Sequence, residues 1–228
     1  MVMNHLKRLK APKSWTILRK KATFITRPNP GAHKLELAVS VNTFLKELTE
    51  LTKTTRETKY LLTKDEVHVN GKRRRDEKHQ VGLFDVVTIP SSKQSFRLTL
   101  NAKGKLVATE AKENTTLLKI TGKTIISKDK IQLNTLTGYN VLVKEKEAKN
   151  YKRGDSVIVD LPKLQVKEHL PRQKDMQGII YLGKHSGTQG TITEIEGKIV
   201  SIETKDKTIK TNKEYVIITG KTKPSIEL

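Results

Sequence analysis

The sequence predicts a mostly β chain made of several small domains, with one small α+β module in its first half. Three observations carry this. The 228 residues are 35 % hydrophobic and 4 % aromatic, too little for one large core but enough for several small ones. Helical spacing of apolar residues begins at Val41 and ends near Leu62. From Phe96 onward the text is nearly all short strands punctuated by Gly and Asn, at the spacing of a small barrel or sandwich.

The elements follow in chain order. Residues 1–34 show little periodicity, and Pro12, Pro28 and Pro30 interrupt any long helix. Trp15, Ile17, Leu18, Phe24 and Ile25 are too apolar for a free tail, so this segment reads as an arm that orders against a partner. Val41, Phe44, Leu45, Leu48 and Leu51 fall on one helix face. Thr54 and Glu57 match a capping box, which predicts a second short helix through Leu62. Val67 and Val69 alternate with polar residues up to Asn70-Gly71, a strand entering a tight hairpin. Gly82 to Ile89 supplies the returning strand. Asn101–Gly104 predicts another hairpin, and Gly154-Asp155 precedes a strand over Val157–Val159. A further small barrel begins at Gln177, with Gly183, Gly187 and Gly190 crowded into one loop. These readings give four parts: a basic extension over 1–40, an α+β module over 41–92, a central β-domain over 93–172 and a second small barrel with its tail over 173–228.

The formal charge is +21, which points to a polyanion, nucleic acid first. It is unevenly spread: +8 over 1–40, +2 over 41–92, +9 over 93–172 and +2 over 173–228, with no acidic residue before Glu36. Lysine supplies 35 of the 45 basic residues, and lysine discriminates bases poorly. Contacts to phosphate and sugar, reading shape more than sequence, are therefore expected.

The candidate RNA-binding residues follow from that charge. Lys72, Arg73, Arg74 and Arg75 come directly after the hairpin turn. Four like charges in a row repel, and phosphates would relieve that repulsion. The alternative is a solvated charged turn, partly neutralised by Asp76 and Glu77. Arg56 and Lys59 lie about one turn apart on the second helix and could line the same groove; an ion pair with Glu57 is the bland alternative. In the arm, Lys7, Arg8, Lys10, Lys13, Arg19, Lys20 and Lys21 surround Trp15. Arg27, His33 and Lys34 continue the set. Trp15 either stacks on a base or packs on the protein's own β-surface. Lys184 and His185 stand in the glycine-rich loop, where Gly187 and Gly190 permit close backbone approach, to RNA or within a tight turn.

Other chemistries find little support. With no cysteine there are no disulfides, thiol nucleophiles or thiolate metal sites, which suits a reducing compartment. The triplets Gly122-Lys-Thr124 and Gly220-Lys-Thr222 lack the earlier glycine of a phosphate loop, having Leu117 and Tyr215 there. The six histidines show no metal-ligand spacing. No apolar run approaches the ~20 residues of a membrane span, and no secretory h-region is present. No catalytic residue, cofactor, metal or small-molecule substrate is expected.

Read together, His5–Trp15, Arg27–Leu35, the Val67–Ile89 stretch, Phe96–Leu106, Gly154–Pro162, Leu182–Ile192 and the closing Gly220–Leu228 resemble, in order, the archaeal and eukaryotic small-subunit ribosomal protein family S4e. The resemblance is weakest over about 110–150. It implies a structural constituent of the small (30S-type) ribosomal subunit in the cytoplasm, with 16S-type rRNA and neighbouring ribosomal proteins as partners. It also implies an S4-like RNA-binding module over 41–92 and a KOW-type SH3-like barrel over 173–228. Ala32 and Gln80 stand where this family usually has proline, and Thr188 where a basic residue often follows the loop glycine. The rival readings are an RNA-modifying enzyme and a transcription or elongation factor. The first needs a large catalytic domain, and the basic arm with its S4-like module argues against the second.

Overall fold

The structure is a computed structural model that describes residues 5–64, 67–127, 129–204, 207–221 and 224–225. The first residues of the extension, Asp65 and Glu66 at the expected strand start, Thr222 of the second triplet and most of the tail lie outside these. The chain divides into two compact units, residues 1–99 with 105–114 and residues 100–104 with 115–228. Both are mostly β, with few helices and antiparallel ladders.

The first unit begins with β1 (Leu6–Lys7) paired to β2 (Phe24–Ile25). The expected arm is thus folded on its own unit. Trp15 bridges to Leu106 and is 2 % exposed, and Leu106 N–H donates to Ser14 O at 2.7 Å. β3 (Ala38–Ser40) leads into α1 (Val41–Thr43), capped by the Ser40 hydroxyl, which accepts from Thr43 N–H at 3.1 Å.

Here the helical expectation needs correction. After one turn the chain widens into a π-turn over Phe44–Leu48, with Thr49 N–H donating to Phe44 O at 3.0 Å. The Thr49 hydroxyl reaches the Leu45 carbonyl at 3.2 Å, and Glu50 turns to a φ of 55°. Both end the helix, so Leu51 leaves the apolar face and is 39 % exposed.

The second helix, α2 (Thr55–Lys64), has the predicted capping box. Glu57 N–H donates to the Thr54 hydroxyl at 3.2 Å, and the Glu57 carboxylate accepts from Lys53 N–H at 2.7 Å. β4 (His68–Val69) and β5 (Lys72–Arg73) form the expected hairpin. Asn70 and Gly71 have φ of 52° and 73°, the pair of positive angles a two-residue turn of this hand requires. Of the expected returning strand only Val86–Ile89 is strand (β7), and Gly82 instead ends a separate strand, β6 (Gln80–Gly82). Between them the Asp85 carboxylate accepts from Gly82 N–H at 2.7 Å, and buried Phe84 takes a φ of 68°. That kink lets β6 pair with β3 while β7 pairs with β4 and β8 (Gln94–Leu100). β9 (Leu106–Glu110) completes a five-stranded sheet in the order β5-β4-β7-β8-β9.

The second unit holds β10 (Thr115–Ser127), β11 (Lys130–Thr135), β12 (Asn140–Lys144), α3 (Glu145–Ala148), β13 (Ser156–Asp160) and β14 (Gln165–Leu170). The sheet order is β12-β11-β10-β13-β14, around a core including Leu118, Ile120, Leu133, Val141, Val157 and Val159. β15 (Gln177–Ile180), β16 (Gln189–Glu196), β17 (Ile199–Glu203), β18 (Thr208–Asn212) and β19 (Val216–Gly220) form another sheet, ordered β18-β17-β16-β15-β19. Among the described residues its ladder does not close on itself. Ile179, Ile192, Val200, Ile202 and Val216 are fully buried along it.

Candidate nucleic-acid interface

The arm's cations divide into an outward and an inward set. Lys7, Lys10, Lys13, Lys20, Lys21, Arg27 and Lys34 are exposed. Arg8 is not: its side chain is 5 % exposed and pairs with Glu47 at 2.6 Å, while a second guanidinium nitrogen donates to Leu18 O at 2.9 Å. The Arg8 hydrogen bond holds the Glu47 carboxyl below the usual carboxylate range, against the opposing effect of burial. Arg8 thus ties the arm to the π-turn and offers no charge to a ligand. Arg19 is half-buried and donates to Ala11 O at 2.8 Å and Pro12 O at 2.7 Å. Trp15 gives its indole N–H to Leu35 O at 3.1 Å, and its side chain is packed inside the first unit.

His33 is likewise turned inward. Its Nε2 lies 3.1 Å from Asp85 Oδ2, and the two side chains are 8 % and 3 % exposed. Burial alone would push the imidazole down. The hydrogen bond and charge of Asp85 outweigh that, and the His33 pKa is raised. Asp85 also accepts from Asn70 Nδ2 at 2.7 Å, and Asn70 Oδ1 accepts from Val86 N–H at 2.8 Å. The hairpin turn is therefore wired to the arm through one buried carboxylate. Gln80 adds a second tie: its amide accepts from His33 N–H and donates to His33 O, both at 3.2 Å. Proline in that place has no such side chain. A Cβ at Gly82 would strike the His33 ring at 2.0 Å, so glycine permits the close approach of arm and β6.

Around the ribbon the cations remain at the surface. Lys72, Arg73 and Arg75 are exposed, and Arg73 also donates to Thr63 O at 3.3 Å, next to the end of α2. Arg74 is half-buried, and its Nε is enclosed without a hydrogen-bond acceptor among the described residues. Together with burial, its charge lowers the pKa of His79. The acids next door are engaged with other groups. Asp76 accepts from Asn29 Nδ2 at 2.6 Å, and Glu77 pairs with Lys59 at 3.3 Å. The ion pair foreseen for Lys59 thus forms with Glu77. Arg56 is exposed on the same helix.

In the second unit Lys184 is exposed and His185 half-buried. The glycines beside them serve internal packing. A Cβ at Gly187 would lie 2.0 Å from Asn101 O, and one at Gly190 would lie 2.2 Å from Glu203 O. This unit also contains a cation that sequence reading missed. Lys119 is 6 % exposed, donates to Glu214 O at 2.5 Å and lies 5.1 Å from the centre of the Tyr181 ring. Burial, with the charges of Arg172 and Arg153, brings its pKa down to about 7. Its only sequence signal was a lysine flanked by Leu118 and Ile120 in a strand. Among the described residues, no cluster of His, Asp and Glu suits a metal ion, and no helix is long and apolar enough to cross a membrane.

Residues 3–36 match the family model for the RS4NT (NUC023) domain, and residues 92–166 match the model for the ribosomal family S4e. The small ribosomal subunit protein eS4 of Archaeoglobus fulgidus is 34 % identical, covering 100 % of this chain and 99 % of that protein. The chain belongs to the eS4 family. Other eS4 relatives agree: the Methanocaldococcus jannaschii protein is 35 % identical and the Methanococcus aeolicus protein 36 %, each over 98 % of this chain and 97 % of its own length. A crystal structure of the 30S ribosomal protein S4e from Thermoplasma acidophilum superposes with a TM-score of 0.69 at 28 % identity, covering 82 % of this chain and 96 % of that one. In this eS4 chain the RS4NT match coincides with the folded arm.

Proposed function

We propose that the chain binds and stabilises 16S-type rRNA through phosphate and shape contacts, from an interface on its outward cations. It is a structural constituent of the small ribosomal subunit and not an enzyme, working within the ribosome in the cytoplasm. Neighbouring ribosomal proteins are its other partners. Residues 1–40 act as a docked basic extension and 41–92 as an S4-like RNA-binding module. Residues 93–172 act as a central β-domain, and 173–228 as a KOW-type SH3-like barrel; the strand order β18-β17-β16-β15-β19 supports that last reading.

The observation that carries the interface is the state of the ribbon. Lys72, Arg73 and Arg75 stay at the surface while Asp76 and Glu77 are bound to Asn29 and Lys59. Consecutive cations repel one another, and phosphate relieves that repulsion where they lie at the surface. Arg8, Trp15 and His33 leave the proposed RNA-binding set because they are buried, and Arg19 leaves it because it is half-buried and turned onto the backbone carbonyls of Ala11 and Pro12. Lys7, Lys10, Lys13, Lys20, Lys21, Arg27, Lys34, Arg56, Lys59, Lys72, Arg73, Arg75 and Lys184 remain, with His185 and Arg74 at the margin.

Filter binding to purified small-subunit rRNA across a potassium chloride series tests this. Changing Lys72, Arg73 and Arg75 together to Ala should weaken binding and flatten the salt slope by about two, at roughly 0.7–0.9 for each phosphate no longer neutralised. An unchanged slope refutes the ribbon's role.

A further inference from the structure

We infer that Phe24 is a stacking platform for one unpaired base of the ribosomal RNA, with Lys7 beside it to meet that nucleotide's phosphate. The inference rests on the RNA-binding reading above and adds an interaction of a different kind to it. Phe24 is 53 % exposed, whereas Phe44 and Phe84 are essentially fully buried. Its place in β2 explains this. Side chains alternate along a strand, and Ile25, the next residue, is the one turned inward at 8 % exposure. In the β1–β2 ladder Lys7 lies directly opposite Phe24, so the two side chains share the outward face. The His5 ring meets the phenyl edge-on, with centroids 5.2 Å apart and planes at 82°, which fixes the orientation of the ring.

The surroundings select the occupant. Lys20 and Lys21, just ahead of β2, are exposed. Glu47, the acid whose carboxylate feels the charge of Lys21, is held by Arg8. An apolar ring in so positive a setting repels a basic protein partner and draws a polyanion that carries flat apolar faces, which describes unstacked RNA. Trp15, the other aromatic of the arm, cannot serve, since its ring is buried and its N–H is taken by Leu35 O.

Stacking contributes affinity without releasing counterions, and this separates it from the cations. With the full chain and purified small-subunit rRNA, Phe24→Leu should weaken binding about tenfold at every salt concentration, leaving the salt slope unchanged. Phe24→Tyr should bind as the wild type does. Phe24→Trp adds an exposed indole whose emission should be quenched when RNA saturates the protein. Equal affinity of Phe24→Leu and wild type overturns the proposal, and so does an added indole that RNA leaves unquenched. If Phe24→Leu binds RNA normally but fails to enter small subunits, the ring faces a protein neighbour and the proposal is also overturned. Failure of the wild type to bind rRNA at all would instead remove the RNA reading on which it rests.

Discussion

Replacing Lys119 with Met should make the protein more stable at neutral pH. Lys119 is 6 % exposed, its ammonium donates to Glu214 O, and Arg172 and Arg153 repel it. Burial is the first cause of a pKa brought from 10.5 to about 7. Because the folded pKa lies below the unfolded one, the unfolded chain binds more protons between these values. Stability therefore rises with pH across that window, by at most about 1.4 kcal/mol per pH unit. Integrated over the full difference, this one group costs the fold about 4 kcal/mol at pH 7, and about 2 kcal/mol of that is regained by pH 9. Met removes the charge and keeps most of the stem's packing, but it leaves Glu214 O without its donor, a loss of about 1 kcal/mol. The net expectation is a gain of about 2–3 kcal/mol at pH 7 that shrinks steadily toward pH 9. Urea unfolding followed by far-UV circular dichroism at pH 7, 8 and 9 measures it. Tyr181, which packs beside the amine, is pushed up to about 12 by burial and stays outside the window. A difference between wild type and Lys119→Met that does not change with pH would refute the reasoning.

Two other perturbations follow from the arm. The pKa of His33 is raised by Asp85 despite burial, so the stability it confers is complete below the unfolded value near 6.5 and is lost as pH rises through the folded one. Proton NMR should show the His33 ring titrating above 6.5, and below it in Asp85→Asn, where the carboxylate no longer opposes burial; a wild-type midpoint at or under 6.5 contradicts this. Arg8→Met strands the Glu47 carboxylate at 9 % side-chain exposure and should cost about 3 kcal/mol in urea unfolding, much of it restored by adding Glu47→Gln. A loss no larger than that of the exposed Lys7→Ala would show that the pair does not anchor the arm.

Local chemistry was readable in the sequence, and long-range partnership was not. Asn70-Gly71 and the Thr54–Glu57 box announced a turn and a helix start because the groups that stabilise them lie within four residues. The spacing of Val41 to Leu51 promised a longer helix, but periodicity cannot show a π-turn, which shifts the face partway along. The stretch Gly82–Ile89 looked like one strand, but the Asp85 side chain folds back on Gly82, and strand begins again only at Val86. Sorting of the basic residues was hidden for the same reason. Arg8 and Lys7 are adjacent and alike in the text, but Arg8 has an acid 39 positions away to bury against. His33 and Gln80 meet across 47 residues. The direction of the charge toward RNA was legible because it depends on sums, whereas the membership of the interface depends on burial.

The Asn70 amide has one more consequence. Asparagine followed by glycine is the pair most prone to shed ammonia through a cyclic imide, turning the amide into an acid. In the fold both ends of that amide are occupied, by Asp85 and by Val86 N–H, and the side chain is nearly sealed from water. The native hairpin therefore shields its own weakest bond, while the unfolded chain leaves it open. A molecule that ages in denaturant acquires an aspartyl or isoaspartyl residue at position 70, and neither can give Asp85 the amide hydrogen bond that Asn70 gives it.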